Sequence, residues 1–156
     1  MLAGLITVLG AVGLGFASAV LPLVNAEAVT TAIALVEAWP VALAACVALA
    51  AGQTAGKVVL YEAGRAGRRV VERRPPKRPD AWWVRAGTRL LAALDGRWRA
   101  IGVISLSASV GLPPLLATAT AAGVVQMRRL DFVVCCFAGR TVRFAAIAMP
   151  IVFATT

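Results

Sequence analysis

The sequence predicts an all-α integral membrane protein, built as an inverted repeat. In it a re-entrant helical hairpin plus a transmembrane helix occurs twice, around a basic cytoplasmic loop holding an interfacial amphipathic helix. Three observations carry this prediction. Twelve of the sixteen Lys and Arg residues fall between Lys57 and Arg99, and the fifty-six residues before Lys57 contain none. That asymmetry is the positive-inside signature of a single cytoplasmic loop. The flanking blocks, 1–56 and 100–156, are apolar almost throughout, in a chain that is 60% hydrophobic with a mean hydropathy of +0.84. Both blocks also share one plan, a broken apolar hairpin followed by a longer apolar span.

The first block opens with an apolar, Gly- and Ala-rich segment over 2–21, interrupted at Pro22, Asn25 and Glu27. A retained helix is expected here rather than a cleaved signal, because no basic residue precedes the apolar run. A second segment runs from Ala28 to about Trp39-Pro40, where proline predicts an end or kink. The third spans Val41 to about Tyr61. The polar, Pro-rich stretch GRAGRRVVERRPPKRPD follows, then AWWVRAGTRLLAALDGRWR. In the latter, Trp82, Trp83, Leu90, Leu91, Leu94 and Trp98 alternate with arginines, the pattern of a helix lying in the headgroup layer.

The second block reads Ile101 to Leu112, a break at Pro113-Pro114, Leu115 to Val125, a charged corner at Arg128-Arg129-Asp131, then Phe132 to Ala154. Four simple spans would place Arg128 and Arg129 on the external side, against the positive-inside rule. If each broken hairpin dips in and returns, that corner is cytoplasmic and both termini are outside. The expected organisation is one multi-pass domain of the plasma or inner membrane over 1–156. Its first half is 1–63, its cytoplasmic loop 64–99 and its second half 100–156.

Composition narrows the chemistry. The segment Lys57–Arg99 carries twelve bases against Glu62, Glu72, Asp80 and Asp95, which is +8 of the chain's +9. Beside apolar blocks, this cluster is expected to orient the protein and attract anionic lipid headgroups rather than nucleic acid. Cys46, Cys135 and Cys136 sit in apolar runs and read as small buried hydrophobes. With no histidine and no C-x-x-C spacing, neither a metal site nor any other cofactor is expected. Ser105, Ser107 and Ser109 lack a base to activate them and are expected to bond helix carbonyls, so enzymatic activity is not expected.

Glu27 is the sharpest single candidate, a carboxylate at the first break with apolar residues on both sides. Placed at depth it is costly, and it would either exchange protons or neutralise an arginine from the other half. Asn25 accompanies it. Arg140 and Arg143, three apart on the final span, occupy one helical face and present guanidinium groups suited to phosphate. Gly52-x-x-x-Gly56 allows close helix packing, with Gly64 and Gly139 as further packing positions.

Three stretches resemble the DedA family, also called the VTT or SNARE-associated Golgi protein domain, and most closely its short YqaA-like branch. LPLVNAEAV is similar to a proline-bearing re-entrant segment ending in an acid, with Pro22 and Glu27. GQTAGKVVLYEAGR is similar to the family's glycine, tyrosine and Gly-Arg signature at Gly52, Gly56, Tyr61, Gly64 and Arg65. PPLLATATAAG and AGRTVRF resemble the second re-entrant segment and its basic sequel, at Pro113, Pro114, Ala122, Gly123, Gly139, Arg140 and Arg143. The chain departs from the pattern at Lys57, where many members carry an acid, and at Val110 and Leu116, where an arginine flanks the second proline.

The resemblance implies a transporter or scramblase that moves a phospholipid or polyprenyl-phosphate headgroup between leaflets, with proton coupling as one form. Its partners would be membrane lipids, anionic or zwitterionic, and a homo-oligomer is compatible with it. Two other functions fit the same residues: a small-ion transporter using the acid and bases as a proton relay, and a structural membrane protein whose charges only fix helix pairing.

Overall fold

A computed structural model describes residues 2–20, 25–73 and 82–155. Among them every regular element is an α-helix: α1 (Leu2–Val20), α2 (Ala26–Val36), α3 (Trp39–Arg73), α4 (Trp82–Ala93), α5 (Arg97–Val110), α6 (Leu115–Val124) and α7 (Arg129–Thr155). Among the described residues two stretches are long and apolar enough to cross a membrane, Trp39–Arg68 in α3 and Arg129–Ala154 in α7. The order of two helices parted by a break and then a longer helix occurs twice, as α1-α2-α3 and as α5-α6-α7. Pro22 and residues 74–81 of the basic segment lie outside the described residues.

Several boundaries differ from those the sequence predicts. Pro40 lies in the first turn of α3 rather than at a helix end. Proline is tolerated there because its missing N–H would have had no partner within the helix. Instead α2 stops at Val36, and the N–H of its C-cap, Glu37, donates to the Ile33 carbonyl at 2.9 Å. Gly64 and Arg65, expected to open the loop, lie on α3, which continues to Arg73. Arginine, glutamate and alanine are good helix formers, and three turns of them extend the apolar span. Trp98 belongs to α5, beyond the Asp95-Gly96 break, rather than to α4.

The chain forms two compact units, Met1–Lys57 with Phe137–Thr156, and Val58–Cys136. Each takes residues from both α3 and α7, so neither coincides with a sequence half.

In the first unit many of the buried apolar residues are small, while several exposed ones are large. Ala11, Ala19, Ala34, Ala42, Ala45, Cys46 and Ala50 are buried, whereas Leu5, Ile6, Leu9, Phe16, Leu35 and Val36 are exposed. Glycine sets the approach of α1 to α3. A β-carbon added to Gly15 would overlap the Leu49 carbonyl oxygen, and one on Gly52 would overlap that of Val12. Gly56 faces the Ala19 β-carbon in the same way. Backbones in such contact gain dispersion along their length, the usual driving force where the surroundings are as apolar as the side chains. From α7, Phe144, Ala148 and Val152 complete this core.

The second unit is held by larger groups. Tyr61 of α3 stacks on Phe132 of α7 with ring centroids 4.9 Å apart, and its hydroxyl donates to the Met127 carbonyl. A β-carbon on Gly64 would overlap the Thr120 carbonyl oxygen, and one on Gly123 that of Tyr61, so α3 and α6 also meet backbone to backbone. Leu90, Leu91 and Leu94 of the α4 segment pack onto the core with Ala100 and Ile104 of α5. The apolar side of α4 is therefore occupied by protein, while Trp82, Arg85 and Arg89 are exposed.

The break between α5 and α6 is closed by polar bonds. Gly111, at φ 89°, caps α5 in the left-handed conformation that glycine adopts without strain. The Leu112–Pro113 peptide is cis. The Ser107 hydroxyl bonds the Pro113 carbonyl and lies 3.0 Å from the Thr118 hydroxyl, and Pro114 is the N-cap of α6. Ser109 bonds back to the Ser105 carbonyl at 2.6 Å. At the start of α5, Arg97 grips Asp131 with two bonds of 2.9 and 3.2 Å, which push the guanidinium pKa up from its ordinary value.

Candidate functional site

Asn25 follows the first break in extended conformation, and its side-chain oxygen accepts the Glu27 N–H at 2.9 Å. It is thus the N-cap of α2. The cap starts the helix two residues before Glu27 and places that carboxylate in the first turn, where the helix dipole favours negative charge. Thr30 and Thr31 bond back to the Ala26 and Glu27 carbonyls, at 2.8 and 3.0 Å, and their hydroxyls are satisfied without leaving α2.

Arg143 of α7 reaches this carboxylate from 116 positions along the chain. Its Nε donates to Glu27 Oε1 at 3.0 Å and its Nη2 donates to the same oxygen. The Arg143 side chain is 22% exposed and that of Glu27 45%. The pair is therefore half sheltered, with open space on the carboxylate side. Arg140, one turn earlier on α7, is partly buried and does not take part in this ion pair. Gly139 is buried beside it in α7. Of the residues singled out in the sequence, Glu27, Asn25 and Arg143 come together, all within the first unit.

Elsewhere the motif residues occupy packing positions. Gly52 and Gly56 form the α1–α3 contact, Gly64, Gly123 and Tyr61 the α3–α6 contact, and Pro113 and Pro114 the second break. Arg65 is exposed on α3.

Sequence reasoning missed a polar strip on α3. Lys57, only 6% exposed, donates from Nζ to the Ala19 carbonyl at 2.9 Å, in the last turn of α1. A buried ammonium is expensive unless it finds oxygens, and the C-terminal carbonyls of a helix are suitable acceptors. One turn earlier, Gln53 donates to the Ser18 hydroxyl at 2.7 Å, and its buried Oε1 has no hydrogen-bond partner among the described residues. Lys57 was visible as the first cation of the chain, flanked by apolar residues, a pattern that in an apolar helix marks a charge with a task. Thr7 and Glu37 form a further pair at 2.7 Å, joining α1 to the end of α2.

The first unit thus contains two carboxylates, Glu27 and Glu37, against three cations, Lys57, Arg140 and Arg143, inside an otherwise apolar set of helices. These five groups leave the unit with one net positive charge. The chain matches no known family model, no curated protein and no solved structure. Among the described residues, no group of three or more His, Cys, Asp or Glu side chains gathers to hold a metal ion.

Proposed function

We propose that this protein is a multi-pass membrane transporter of the DedA type, which moves a phosphate-bearing lipid headgroup between leaflets. The observation that carries the reading is the Glu27–Arg143 pair, a half-exposed acid and base within helices whose exposed residues are large and apolar. So many exposed large apolar side chains suit lipid rather than water. In this reading the two breaks are re-entrant hairpins of an inverted repeat, the segment 64–99 is cytoplasmic, and the termini are external.

The pair would work by exchange. With Glu27 ionised, its carboxylate occupies the Arg143 guanidinium. When Glu27 takes up a proton, the charge-assisted bond weakens and the fork of Arg143 becomes available to a phosphate, which accepts the same bidentate geometry. Deprotonation restores the internal partner and releases the headgroup. Arg140 and Lys57 belong to the same unit and add positive charge to it, which favours an anionic headgroup over a neutral one.

The test is translocation of labelled phosphatidylethanolamine and undecaprenyl phosphate in liposomes containing the purified chain, with Glu27→Gln and Arg143→Ala variants. Transport by the wild type that is lost in both folded variants supports the reading. Proton flux without lipid movement would favour the small-ion transporter. Absence of both, with poorly assembled variants, would reduce the pair to a structural tie.

A further inference from the structure

We propose that the cleft between the start of α5 and the start of α7, in the second unit, is a binding site for a phosphate group. Its volume is about 190 Å³, and its walls include Arg97, Arg128, Gln126, Gly96, Leu94 and Ala100. Pockets for drug-sized ligands hold about 300–1,000 Å³, so the occupant is a small group rather than a nucleotide or a large organic molecule.

The lining sets the charge. It contains two guanidinium groups and a carboxamide, and no carboxylate. Arg97 spends Nε and Nη2 on Asp131, which fixes the plane of its fork and leaves further N–H donors of the five an arginine carries. Arg128 is exposed and makes no side-chain hydrogen bond or ion pair among the described residues. Its charge also acts on Asp131, to a lesser extent than the hydrogen bond from Arg97, so Arg97, Arg128 and Asp131 together carry one net positive charge. Its neighbour Arg129 differs, lying 3.6 Å from Glu62 and outside the cleft lining.

The Arg97 N–H groups not used by Asp131 and the fork of Arg128, carried by different segments, ask for more acceptor oxygens than the pair a carboxylate offers, and a halide has no oxygens to share. A tetrahedral phosphate can accept from both arginines at once. Trp98, 79% exposed and outside the cleft lining, has its ring 5.7 Å from the Arg97 guanidinium, an aromatic of the kind found at headgroup level. The phosphate could come from a lipid headgroup or from solution, and the chemistry of recognition is common to both. The site shares no residue with the Glu27–Arg143 pair, and its binding is read without translocation, so either proposal can fail alone.

The experiment is calorimetric titration of the full chain in neutral detergent with inorganic phosphate and with dihexanoyl phosphatidylglycerol, each against chloride at matched ionic strength. Saturable binding of either probe is expected. Phosphate alone would mark a free-phosphate site, and the lipid, alone or with phosphate, a headgroup site. Arg128→Gln is expected to weaken binding about tenfold, the loss of one charge-assisted contact. Arg128→Lys keeps the charge without the fork and falls between. Arg129→Gln removes the same formal charge and should stay within about twofold, as a screened neighbour. No saturable binding over chloride, or equal weakening by Arg128→Gln and Arg129→Gln, overturns the site.

Discussion

The ammonium of Lys57 on α3 donates to the main-chain oxygen of Ala19 near the end of α1, at 2.9 Å, from a position almost wholly shielded from solvent. The bond ties the first helix to the third at the point where the chain breaks before Asn25. Replacing Lys57 by methionine keeps the length of the side chain and leaves the carbonyl without this donor, at an expected cost of about 1–3 kcal/mol. Glutamate would set a carboxylate against a carbonyl and cost more, about 3–5 kcal/mol. Thermal unfolding in detergent should rank wild type above Lys57→Met above Lys57→Glu, and a silent Lys57→Glu change would contradict the contact.

Glycines on these helices should divide sharply by position. Gly52→Ala brings a β-carbon into the Val12 carbonyl oxygen, whereas nothing lies within 4 Å of the same atom at Gly10. The first change should cost about 1–3 kcal/mol through forced separation of α1 and α3. The second should be neutral or stabilising by up to about 1 kcal/mol, the difference in helix propensity. The comparison is a pair of melting curves, and equal effects would mean that α1 and α3 do not meet at Gly52.

Tyr61→Phe removes only the hydroxyl that bonds the Met127 carbonyl and keeps the stack on Phe132. The expected loss is about 1 kcal/mol. Tyr61→Ala, which also opens a cavity, should cost about 3–5 kcal/mol. Equilibrium unfolding of both variants would show whether the ring or its hydroxyl dominates.

Much of this molecule could be read from residue order, and the exceptions have physical causes. The break at Pro113-Pro114 and the two long apolar spans follow from proline and from apolar run length. The continuation of α3 past Gly64 was hidden because charge was read as loop, although Arg, Glu and Ala favour helix when no proline intervenes. The α4 segment shows the opposite problem. Its alternation of Trp, Leu and Arg describes an amphipathic helix but does not say what covers the apolar side, and Leu90, Leu91 and Leu94 turn onto α5 and α6. Arg143 and Glu27 were each conspicuous as charges in apolar runs. Their meeting across 116 positions, with Arg140 left out of the ion pair, depends on how α7 is rotated, which composition does not encode.

The ion pair itself should behave as a coupled unit. Glu27→Gln and Arg143→Gln should each destabilise the fold, and the double variant should lose less than their sum, with a coupling of about 1 kcal/mol for a partly exposed pair. A double-mutant cycle from detergent melts provides the number. Strict additivity would mean that the two groups do not interact.

The proposed transport is read as the rate of lipid movement across liposomes reconstituted with wild type, Glu27→Gln or Arg143→Ala, with proton flux recorded in the same vesicles. Wild type is expected to move a phosphate-bearing lipid faster than empty liposomes, and both variants, folded and inserted to the same extent, are expected not to. Wild-type vesicles no faster than empty ones for either lipid, or folded variants that transport as well as wild type, would contradict it.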